Sequence, residues 1–525
     1  MSKKDRFQDL RTFDILVVGG GATGLGVALQ AALEGRRVAL VEARDFASGT
    51  SSRSTKLLHG GVRYLAQGHI HLVREALRER AHVLELAPHL AQPLSFVVAE
   101  RSWPMWAVTA LGLKLYEWLA GRFSLGRTQW LGAHGLTNLL AAMPSQAAGV
   151  RYWDGQFEDA RLALALARTA ARAGAEVRNH TAVTALSASP EGWMADLRDA
   201  HTGQTWQVSA RCVVNATGVW VDGLRQLALA KQADDRSALR PLVHPSQGVH
   251  LVVDRATLPL QEAVLVPRTA DGRVLFAVPW LGSTVIGTTD TPRDDAPLEP
   301  RPMAQELAFL FEQTRASLGV QLRPEQVKSV WVGLRPLVQP PEGKDSGPTS
   351  RLSREHLIVR EAPGFWTVTG GKWTTYRSMA EQVMAAMVKS GDSPDAPCPA
   401  DTRTHLLDGA QEGGGSVRSL KDAPGPHLLG SHAQELWALP GHDVALGLGL
   451  TEAMVRYAAR HEWAVTVEDM LARRWRMLFL DARLAEKVAP RVAQVLEEET
   501  GKEPALAPFL ALCRQYRLPE GSPNE

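Results

Sequence analysis

Three glycines near the start of the chain have the spacing of a phosphate-binding turn. The pattern Gly19-x-Gly21-x-x-Gly24 stands between an apolar run over 13–18 and a helical pattern over 25–33. Glycines let the backbone turn tightly and approach a pyrophosphate, which the N-terminus of the following helix attracts. The next strand pattern ends at Glu42, which would bind ribose hydroxyls and repel a 2′-phosphate, so NADP is disfavoured. The predicted dinucleotide-binding residues are Gly19, Gly21, Ala22, Thr23, Gly24 and Glu42.

A later segment bears on which dinucleotide binds. Asn215-Ala216-Thr217-Gly218 ends another apolar strand pattern and resembles the second dinucleotide-contact motif of flavoproteins. Taken alone, the segment could be an ordinary strand followed by a tight turn. Together with a fingerprint at the extreme N-terminus it favours FAD over NAD, with contacts from Ala216, Thr217 and Gly218.

Composition excludes several classes of protein. The 525 residues are 45% hydrophobic and 22% charged, as in soluble globular proteins, and the net charge of +2 argues against nucleic-acid binding. The 3 cysteines lie far apart, so neither a disulfide framework nor a metal site is expected. The N-terminus lacks the apolar core of a signal peptide, and no stretch provides the roughly 20 apolar residues of a membrane span.

The order of the patterns predicts an α/β protein with an added helical part. Strands and helices interleave through 1–389, with an antiparallel sheet indicated between 248 and 287. Proline and glycine crowd the segment 390–431, which is predicted to be a linker or surface connection. The remainder, 432–525, is predicted to be a C-terminal helical domain, and Thr466 and Asp469 form a capping-box signature within it.

Two motifs make the sequence recognisable: Lys-Leu-Leu-His-Gly-Gly-Val-Arg-Tyr-Leu over 56–65 and Gly-Gly-Lys-Trp-Thr-Thr-Tyr-Arg over 370–377. With them, nearly the whole chain resembles the FAD-dependent, quinone-linked glycerol-3-phosphate dehydrogenase family of the aerobic bacterial type. The resemblance implies a Rossmann-like FAD-binding domain interleaved with an antiparallel-sheet substrate domain, as in amino-acid oxidases. A C-terminal all-helical domain follows it.

The resemblance also implies an activity. The family oxidises sn-glycerol 3-phosphate to dihydroxyacetone phosphate, with hydride passing from C2 to N5 of FAD and electrons passing on to ubiquinone. Peripheral attachment to the cytoplasmic face of the inner membrane is therefore expected, and a homodimer remains open. Two alternatives stay open as well: a related amine or hydroxy-acid oxidase, and a non-catalytic flavin-binding redox sensor.

Candidate site residues follow from the substrate's charge and from the motifs. A phosphate dianion needs several fixed cations, and the resemblance places four cationic residues near the flavin. Lys372 is alternatively suited to the N1 and O2 side of the flavin, where positive charge stabilises its reduced form. The predicted substrate-binding residues are Arg63, Tyr64, Arg335, Arg354, Lys372 and Thr375. The resemblance adds the cofactor-binding residues Thr50, Ser51, Ser52, Lys56, Leu58 and Gly371.

Oxidation of a secondary alcohol also needs a base for the hydroxyl proton. His59 is the first candidate because histidine titrates near neutral pH and Gly60 and Gly61 follow it. An equally good interpretation is that His59 binds the cofactor or orients Arg63, and His250 is a more distant rival. The predicted catalytic group is His59, Arg63, Arg335 and Lys372.

Three residues depart from the family pattern: Gln30, Val219 and Gln247. They leave the predicted fold and cofactor unchanged, but they raise the question of whether substrate preference is altered.

Two further segments allow opposite interpretations. The apolar segment Trp103 to Leu119 is suited to insertion at a membrane interface, although a buried core helix is the alternative. Arg473, Arg474 and Arg476 could meet anionic headgroups or a partner, but a solvated helix face is the default expectation.

Overall fold

The structure is a computed structural model of the 525-residue chain. It describes residues 11–66, 68–100, 102–132, 134–136, 148–229, 239–269, 273–339, 355–411 and 418–519, with Arg63 and Ala66 described by their backbone only.

The strands, in chain order, are β1 Arg11–Val18, β2 Val38–Val41, β3 Leu57–Leu58, β4 Ala91–Glu100, β5 Gln129–Gly132, β6 Ala148–Phe157, β7 Glu176–Arg178, β8 Thr181–Ser189, β9 Gly192–Asp199, β10 Thr205–Asn215, β11 Val243–Asp254, β12 Ala263–Val266, β13 Leu275–Trp280, β14 Ser283–Gly287, β15 Thr291–Pro292, β16 Val327–Val338, β17 His356–Ala362, β18 Phe365–Gly370, β19 Ala445–Gly447 and β20 Leu450–Thr451. The α-helices are α1 Ala22–Leu33, α2 Val62–Ala66, α3 Ile70–Leu86, α4 Trp103–Ala120, α5 Asp159–Arg172, α6 Val221–Leu229, α7 Ala304–Leu318, α8 Tyr376–Lys389, α9 Glu452–His461, α10 Met477–Leu480, α11 Ala482–Thr500 and α12 Leu506–Gln515. A π-helical segment, Asp469–Arg474, precedes α10.

The first sheet is the dinucleotide-binding one. Its strands lie in the order β17-β18-β10-β1-β2-β7, and β1 is parallel to both β10 and β2. The last four residues of β1 are all buried, as expected for a central strand of a parallel sheet covered on both faces. Helices α1, α5 and α8 pack together beside this sheet. This arrangement places the end of β1, and with it the glycine turn, beside the end of β10.

The second sheet is mostly antiparallel and is interleaved with the first along the chain. Its strands lie in the order β15-β11-β14-β13-β12-β4-β6-β3, and β16 pairs with β11 over its full length. Alternate residues of β11 point to opposite faces. Val249, Leu251 and Val253 pack beneath α7, whereas Ser246, Gly248 and His250 occupy the other face, which turns toward the first domain. The predicted fold class is confirmed.

The C-terminal helices share a buried core with the dinucleotide-binding domain. The predicted capping box forms at the start of the π-helical segment. Thr466 Oγ1 accepts from the Asp469 backbone at 3.1 Å, and the Asp469 carboxylate accepts from the Thr466 backbone at 2.8 Å. Among the described residues, no helix combines the length and apolar character needed to cross a membrane.

The expectation of a solvated arginine face in this region was wrong. Arg473, Arg474 and Arg476 are 4%, 1% and 0% exposed. Arg473 and Arg474 pair with Asp45, and Arg476 pairs with Glu158. These carboxylates belong to the first domain and lie more than 300 residues away in sequence, so nothing local to the arginines could have predicted their burial.

The segment predicted as a linker lies along the surface of the first domain where the structure describes it. The Cys398 backbone N–H donates to the Glu34 carbonyl at 3.1 Å, and the Leu407 N–H donates to the Leu86 carbonyl at 3.0 Å. Asp408 pairs with Arg168 of α5. The segment is thus held against the first domain by hydrogen bonds and an ion pair.

Candidate active site

The glycine turn at the end of β1 is packed too closely for any side chain. Gly19 has φ +114°, and a Cβ added there would lie 2.5 Å from the Ala216 carbonyl oxygen. A Cβ on Gly24 would collide with the Gly19 carbonyl. Helix α1 starts after Gly21, which has no side chain to cap it, and its first turn holds buried Ala22 and half-buried Thr23. This is a backbone cradle for a phosphate at a helix N-terminus.

Glu42 is fixed at the end of β2, next to this turn. Its carboxylate accepts the backbone N–H of Gly20 at 2.7 Å and that of Arg44 at 2.9 Å. Burial raises the pKa of the Glu42 carboxyl, and these two hydrogen bonds oppose the shift. The carboxylate is therefore held where the ribose of a dinucleotide would reach it.

The 3-10 turn Thr50–Ser52 connects the glycine turn with two other segments. Ser51 Oγ accepts the Ala22 N–H at 3.0 Å, at the start of α1. Thr50 Oγ1 donates to the Leu334 carbonyl on β16 at 2.6 Å, and Trp373 Nε1 donates to the Ser51 carbonyl at 2.8 Å. Three segments that the sequence singled out separately thus meet at this turn.

The segment after β10 lies against the glycine turn, because Asn215 is the register partner of Val18. Thr217 Oγ1 donates to Asn215 Oδ1 at 2.7 Å, and the Gly218 carbonyl accepts Thr369 Oγ1 at 3.1 Å. Ala216, Thr217 and Gly218 therefore stand beside the first fingerprint, as a second dinucleotide-contact segment must.

Lys372 lies next to the His-Gly-Gly segment. Its Nζ lies 3.9 Å from the centroid of the Tyr64 ring, a cation–π contact. A Cβ added to Gly61 would lie 3.4 Å from the same Nζ. Thr374 Oγ1 also donates to the His59 carbonyl at 3.5 Å. The two motifs that carry the family resemblance are therefore in direct contact.

The backbone around Lys372 explains the two glycines before it. Gly370 and Gly371 both have positive φ, +75° and +73°, and a Cβ on Gly371 would lie 2.6 Å from Met379 Sδ. Thr375 Oγ1 donates to the Lys372 carbonyl at 3.3 Å, which holds the turn from β18 into α8.

Arg335 lies on β16 opposite Ser246 of β11, on the face that turns toward the first domain. Its Nη2 donates to Thr288 Oγ1 and to the Thr289 carbonyl, both at 3.1 Å, and Nη1 lies 3.5 Å from Asp290 Oδ1. Its side chain remains 23% exposed. The absence of a side chain at Gly248 provides the room, since a Cβ there would lie 2.5 Å from Nη2.

His250 shares that face of β11 but is 2% exposed. Its ring stacks on Trp331 with centroids 4.0 Å apart, and its Nε2 lies 3.0 Å from Thr55 Oγ1. Burial, followed by the charges of Lys56 and Arg335, holds the His250 pKa well below its ordinary value. The ring is therefore neutral and only weakly basic.

Two predicted cofactor residues have side chains that are buried in the protein. Lys56 Nζ is fully buried and donates to Asp159 at 2.7 Å and to the Ser52 carbonyl at 2.8 Å. Burial lowers its pKa to about 7. Leu58 is buried in β3, where it pairs with Gly155. Their cofactor contacts stay predictions, and in this arrangement such contacts would come from the backbone.

Two predicted substrate residues cannot be placed. Arg354 lies outside the described residues, and Arg63 lies in α2, where only its backbone is described. Several residues at the site escaped the sequence prediction: Thr55, Tyr116, Asp159 and Arg476. Tyr116 and Arg476 lie in segments that the sequence suggested for membrane or partner contact, and Thr55 and Asp159 lie in segments with no chemical pattern of their own.

The three departures from the family pattern have their side chains buried in the protein. Gln247 points to the opposite face of β11, where it donates to Glu306 at 2.6 Å. Gln30 is buried in α1 and accepts from Thr402 at 2.9 Å, and Val219 is buried after the second contact segment. All three act in packing.

Comparison with known proteins agrees with this geometry. Residues 14–382 match the family described as FAD dependent oxidoreductase, and residues 427–506 match the C-terminal domain of alpha-glycerophosphate oxidase. The chain is 37% identical, over 94% of its length, to the mitochondrial glycerol-3-phosphate dehydrogenase of Homo sapiens, of which it covers 71%. It is 38% identical to the mitochondrial glycerol-3-phosphate dehydrogenase SDP6 of Arabidopsis thaliana, over 93% of this chain and 82% of that one.

The chain belongs to the FAD-dependent glycerol-3-phosphate dehydrogenase family. A solved structure from this family, the glycerol-3-phosphate dehydrogenase from Bacillus halodurans complexed with FAD, superimposes with a TM-score of 0.75 at 27% identity. The alignment covers 97% of this chain and 96% of that one. The L-alpha-glycerophosphate oxidase from Mycoplasma pneumoniae, at 19% identity and a TM-score of 0.55, shares the fold. The glycine cradle and Glu42 fit FAD, so this family member is a FAD-dependent oxidoreductase.

Proposed function

We propose that this protein oxidises sn-glycerol 3-phosphate to dihydroxyacetone phosphate and passes the electrons to ubiquinone. The observation that carries the proposal is the contact between the two family motifs, which sets Lys372 over Tyr64 and against Gly61, beside the His59 segment. Relatives named glycerol-3-phosphate dehydrogenase support the substrate. Bound FAD would supply the hydride acceptor, and the chain's own residues would bind the substrate and take the hydroxyl proton.

Arg335 and Lys372 are proposed to bind the phosphate and hydroxyl oxygens. A guanidinium offers paired donors that match phosphate oxygens, and an ammonium adds a compact charge. Arg335 is held in place by Thr288 and Thr289, and Lys372 by the Tyr64 ring. The threonines and the tyrosine ring orient the two cations without cancelling their charge, whereas Asp290, 3.5 Å from Arg335 Nη1, offsets part of the charge of Arg335.

His59 is proposed as the base that takes the proton from the C2 hydroxyl. Its segment is held by Thr374 through the His59 carbonyl and by Tyr116 OH, which accepts the Gly60 N–H at 2.8 Å. His250 is the weaker candidate because its pKa lies far below neutrality. His59→Ala should lower kcat much more than it raises KM, whereas His250→Ala should change kcat less. The reverse order of effects would transfer the role to His250.

The protein is proposed to bind the cytoplasmic face of the inner membrane and to reduce ubiquinone there. Helix α4 exposes a broad apolar face, with Trp103 70%, Leu111 73% and Trp118 71% exposed. Arg122 is exposed just after the same helix and would attract anionic headgroups, whereas the charge of exposed Lys114 is offset by Glu117 at 2.9 Å. Tyr116, on the buried face, contacts Gly60, so the lipid-facing helix lies directly beside the His59 segment.

The experiment is a substrate and acceptor panel on FAD-loaded protein. Turnover of an artificial dye with sn-glycerol 3-phosphate, and none with glycerol, glycine or lactate, is expected. Preferential oxidation of an amine or hydroxy acid would contradict the substrate, and FAD binding without turnover would indicate a redox sensor.

A second candidate concerns the electron acceptor. The match of residues 427–506 to a glycerophosphate oxidase domain favours direct reaction with oxygen as the alternative to quinone. With glycerol 3-phosphate as donor, reduction of a soluble ubiquinone analogue without peroxide would support the quinone. Stoichiometric peroxide in air, with no quinone reduction, would identify an oxidase.

A further inference from the structure

The C-terminal domain contacts the turn 50–52 through a buried arginine. Arg476 Nη2 donates to the Ser52 carbonyl at 2.6 Å, and the same oxygen accepts Lys56 Nζ at 2.8 Å. One backbone carbonyl thus receives hydrogen bonds from two cationic groups. The neighbouring residue, Ser51, is the one that meets the start of α1.

Arg476 is itself rigidly held. It donates to the Ala472 carbonyl at 2.6 Å, and its Nε lies 3.0 Å from Glu158 Oε1. Its guanidinium lies 3.9 Å from the centroid of the Phe479 ring. A fully buried guanidinium with this many partners has one orientation, so it fixes the position of whatever it binds.

The same part of the C-terminal domain contacts the loop that follows Glu42. Arg473 Nε donates to Asp45 at 2.5 Å, and the Trp463 ring packs edge-on against Phe46 with centroids 5.5 Å apart. The Ala47 N–H donates to the Gly20 carbonyl in the glycine turn at 2.9 Å. Two parts of the connection between β2 and β3 are therefore supported from the C-terminal domain.

We propose that Arg476 is a positioning residue of the FAD site, through which the C-terminal domain completes that site. Among the residues that the structure describes, Arg476 contacts the Ser52 carbonyl and Glu158, and none of its contacts is to the dinucleotide fingerprint or to a described candidate substrate residue. It acts through the Ser52 carbonyl, which sets the turn that places Ser51 at the N-terminus of α1. FAD binding and docking of the C-terminal domain are consequently coupled, and each strengthens the other.

The test compares Arg476→Gln and Arg476→Lys with Arg456→Gln in the full-length protein. Arg456 also lies in the C-terminal domain and would also lose ion pairs, but within the described part of the chain those pairs are with Glu498 and Glu499 of α11 and not with the FAD site. Apoprotein is titrated with FAD, and the flavin fluorescence gives the dissociation constant. Loss of a charged hydrogen bond predicts about 10-fold to 100-fold weaker FAD binding for Arg476→Gln. Arg476→Lys should fall between, and Arg456→Gln should stay within about twofold of the unaltered protein.

A second readout separates positioning from a general loss of stability. The rise in Tm on adding saturating FAD should shrink in Arg476→Gln and remain unchanged in Arg456→Gln. A folded Arg476→Gln protein with unaltered FAD affinity would overturn the proposal, and so would an equal loss of affinity in Arg456→Gln. If Arg476→Gln does not fold, Arg476→Lys decides. Its FAD affinity should be reduced, and an affinity equal to that of the unaltered protein would overturn the proposal.

Discussion

Helix α4 and the segment 469–476 are both unusual in which side chains they expose. The helix exposes apolar side chains, and the segment buries charged ones. Helix α4 exposes Trp103, Leu111 and Trp118 at the surface, whereas the second segment buries Arg473, Arg474 and Arg476. The buried arginines pair with carboxylates of the first domain and support loops of the FAD site. The exposed apolar face lies behind Tyr116, which contacts the His59 segment.

The difference indicates whether the partner of each segment lies inside or outside the chain. Buried charge is stable only with a paired partner, and these arginines find theirs inside the same chain. The exposed apolar face of α4 is instead proposed to contact something outside the chain. Charge placed inside therefore serves the cofactor site, and apolar surface placed outside is proposed to serve the bilayer.

The largest effect is expected from Arg474→Met, which removes a buried charge from Asp45. Breaking this buried ion pair should lower the free energy of unfolding by about 3 kcal/mol, because the Asp45 carboxylate keeps Arg473 but loses a second buried cation that water cannot replace. Denaturant unfolding measures the change.

The matched control for that change is Arg460→Met, whose partner is Glu499 and whose side chain is 44% exposed. A solvated pair of this kind should contribute less than about 1 kcal/mol. Equal losses of unfolding free energy in the two variants would show that burial does not determine how much these arginines stabilise the fold.

An intermediate effect is expected on lipid binding. Replacing Trp103 and Trp118 by Ser removes two of the most exposed aromatic side chains of α4. Each is expected to contribute roughly 2 kcal/mol if about half its surface enters lipid, so binding to vesicles with anionic phospholipid should weaken at least about tenfold per residue. Vesicle co-sedimentation measures the loss.

The control for lipid binding is Trp437→Ser, because Trp437 is 70% exposed elsewhere, in the C-terminal part of the chain. It should leave vesicle binding unchanged. Unaltered binding of the α4 double variant, or equal loss in the control, would contradict the assignment of α4 as the lipid-facing surface.

The smallest effect concerns pH, through His180 at the interface with the π-helical segment. Its Nε2 lies 3.0 Å from Asp469 Oδ2, with Asp45, Arg473 and the ring of His201 close by. Burial opposes protonation, but Asp469 outweighs it and raises the His180 pKa. The stabilisation is therefore fully present below the unfolded pKa and is lost as pH rises through the folded one.

His180→Asn tests this effect, since Asn tolerates the φ of +49° at this position. The variant should be less stable than the unaltered protein near pH 6, and the gap should narrow toward about pH 9. Thermal unfolding over that range measures it. A gap that widens with pH would show that His180 is not stabilised in its charged form.

Sequence reasoning succeeded where the chemistry is local. The fingerprint 19–24 sits between a strand and a helix, and both family motifs are contiguous stretches, so the fold and the cofactor could be predicted. The placement of Lys372 and Tyr64 in one site was expected only through the resemblance, because the two residues lie in separate motifs, and their cation–π contact was not predicted.

Two outcomes could not be predicted because they depend on distant partners. The burial of Arg476 requires Glu158, and the exposure of α4 depends on what packs against each of its faces. A helix whose polar side is as narrow as that of α4, with Lys114 and Glu117, gives much the same pattern whether it is buried or faces lipid. Likewise, the isolation of Gln247 from the site follows only from the strand alternation of β11.

The most direct test of the account is anaerobic mixing of FAD-loaded protein with sn-glycerol 3-phosphate, followed by flavin absorbance. Rapid and complete bleaching is predicted, with glycerol leaving the flavin oxidised. Lys372→Ala should need about 10-fold to 100-fold more substrate for the same rate, because a charged contact to the phosphate is lost. Equal bleaching by glycerol and glycerol 3-phosphate, or an unaltered substrate requirement in Lys372→Ala, would contradict the account.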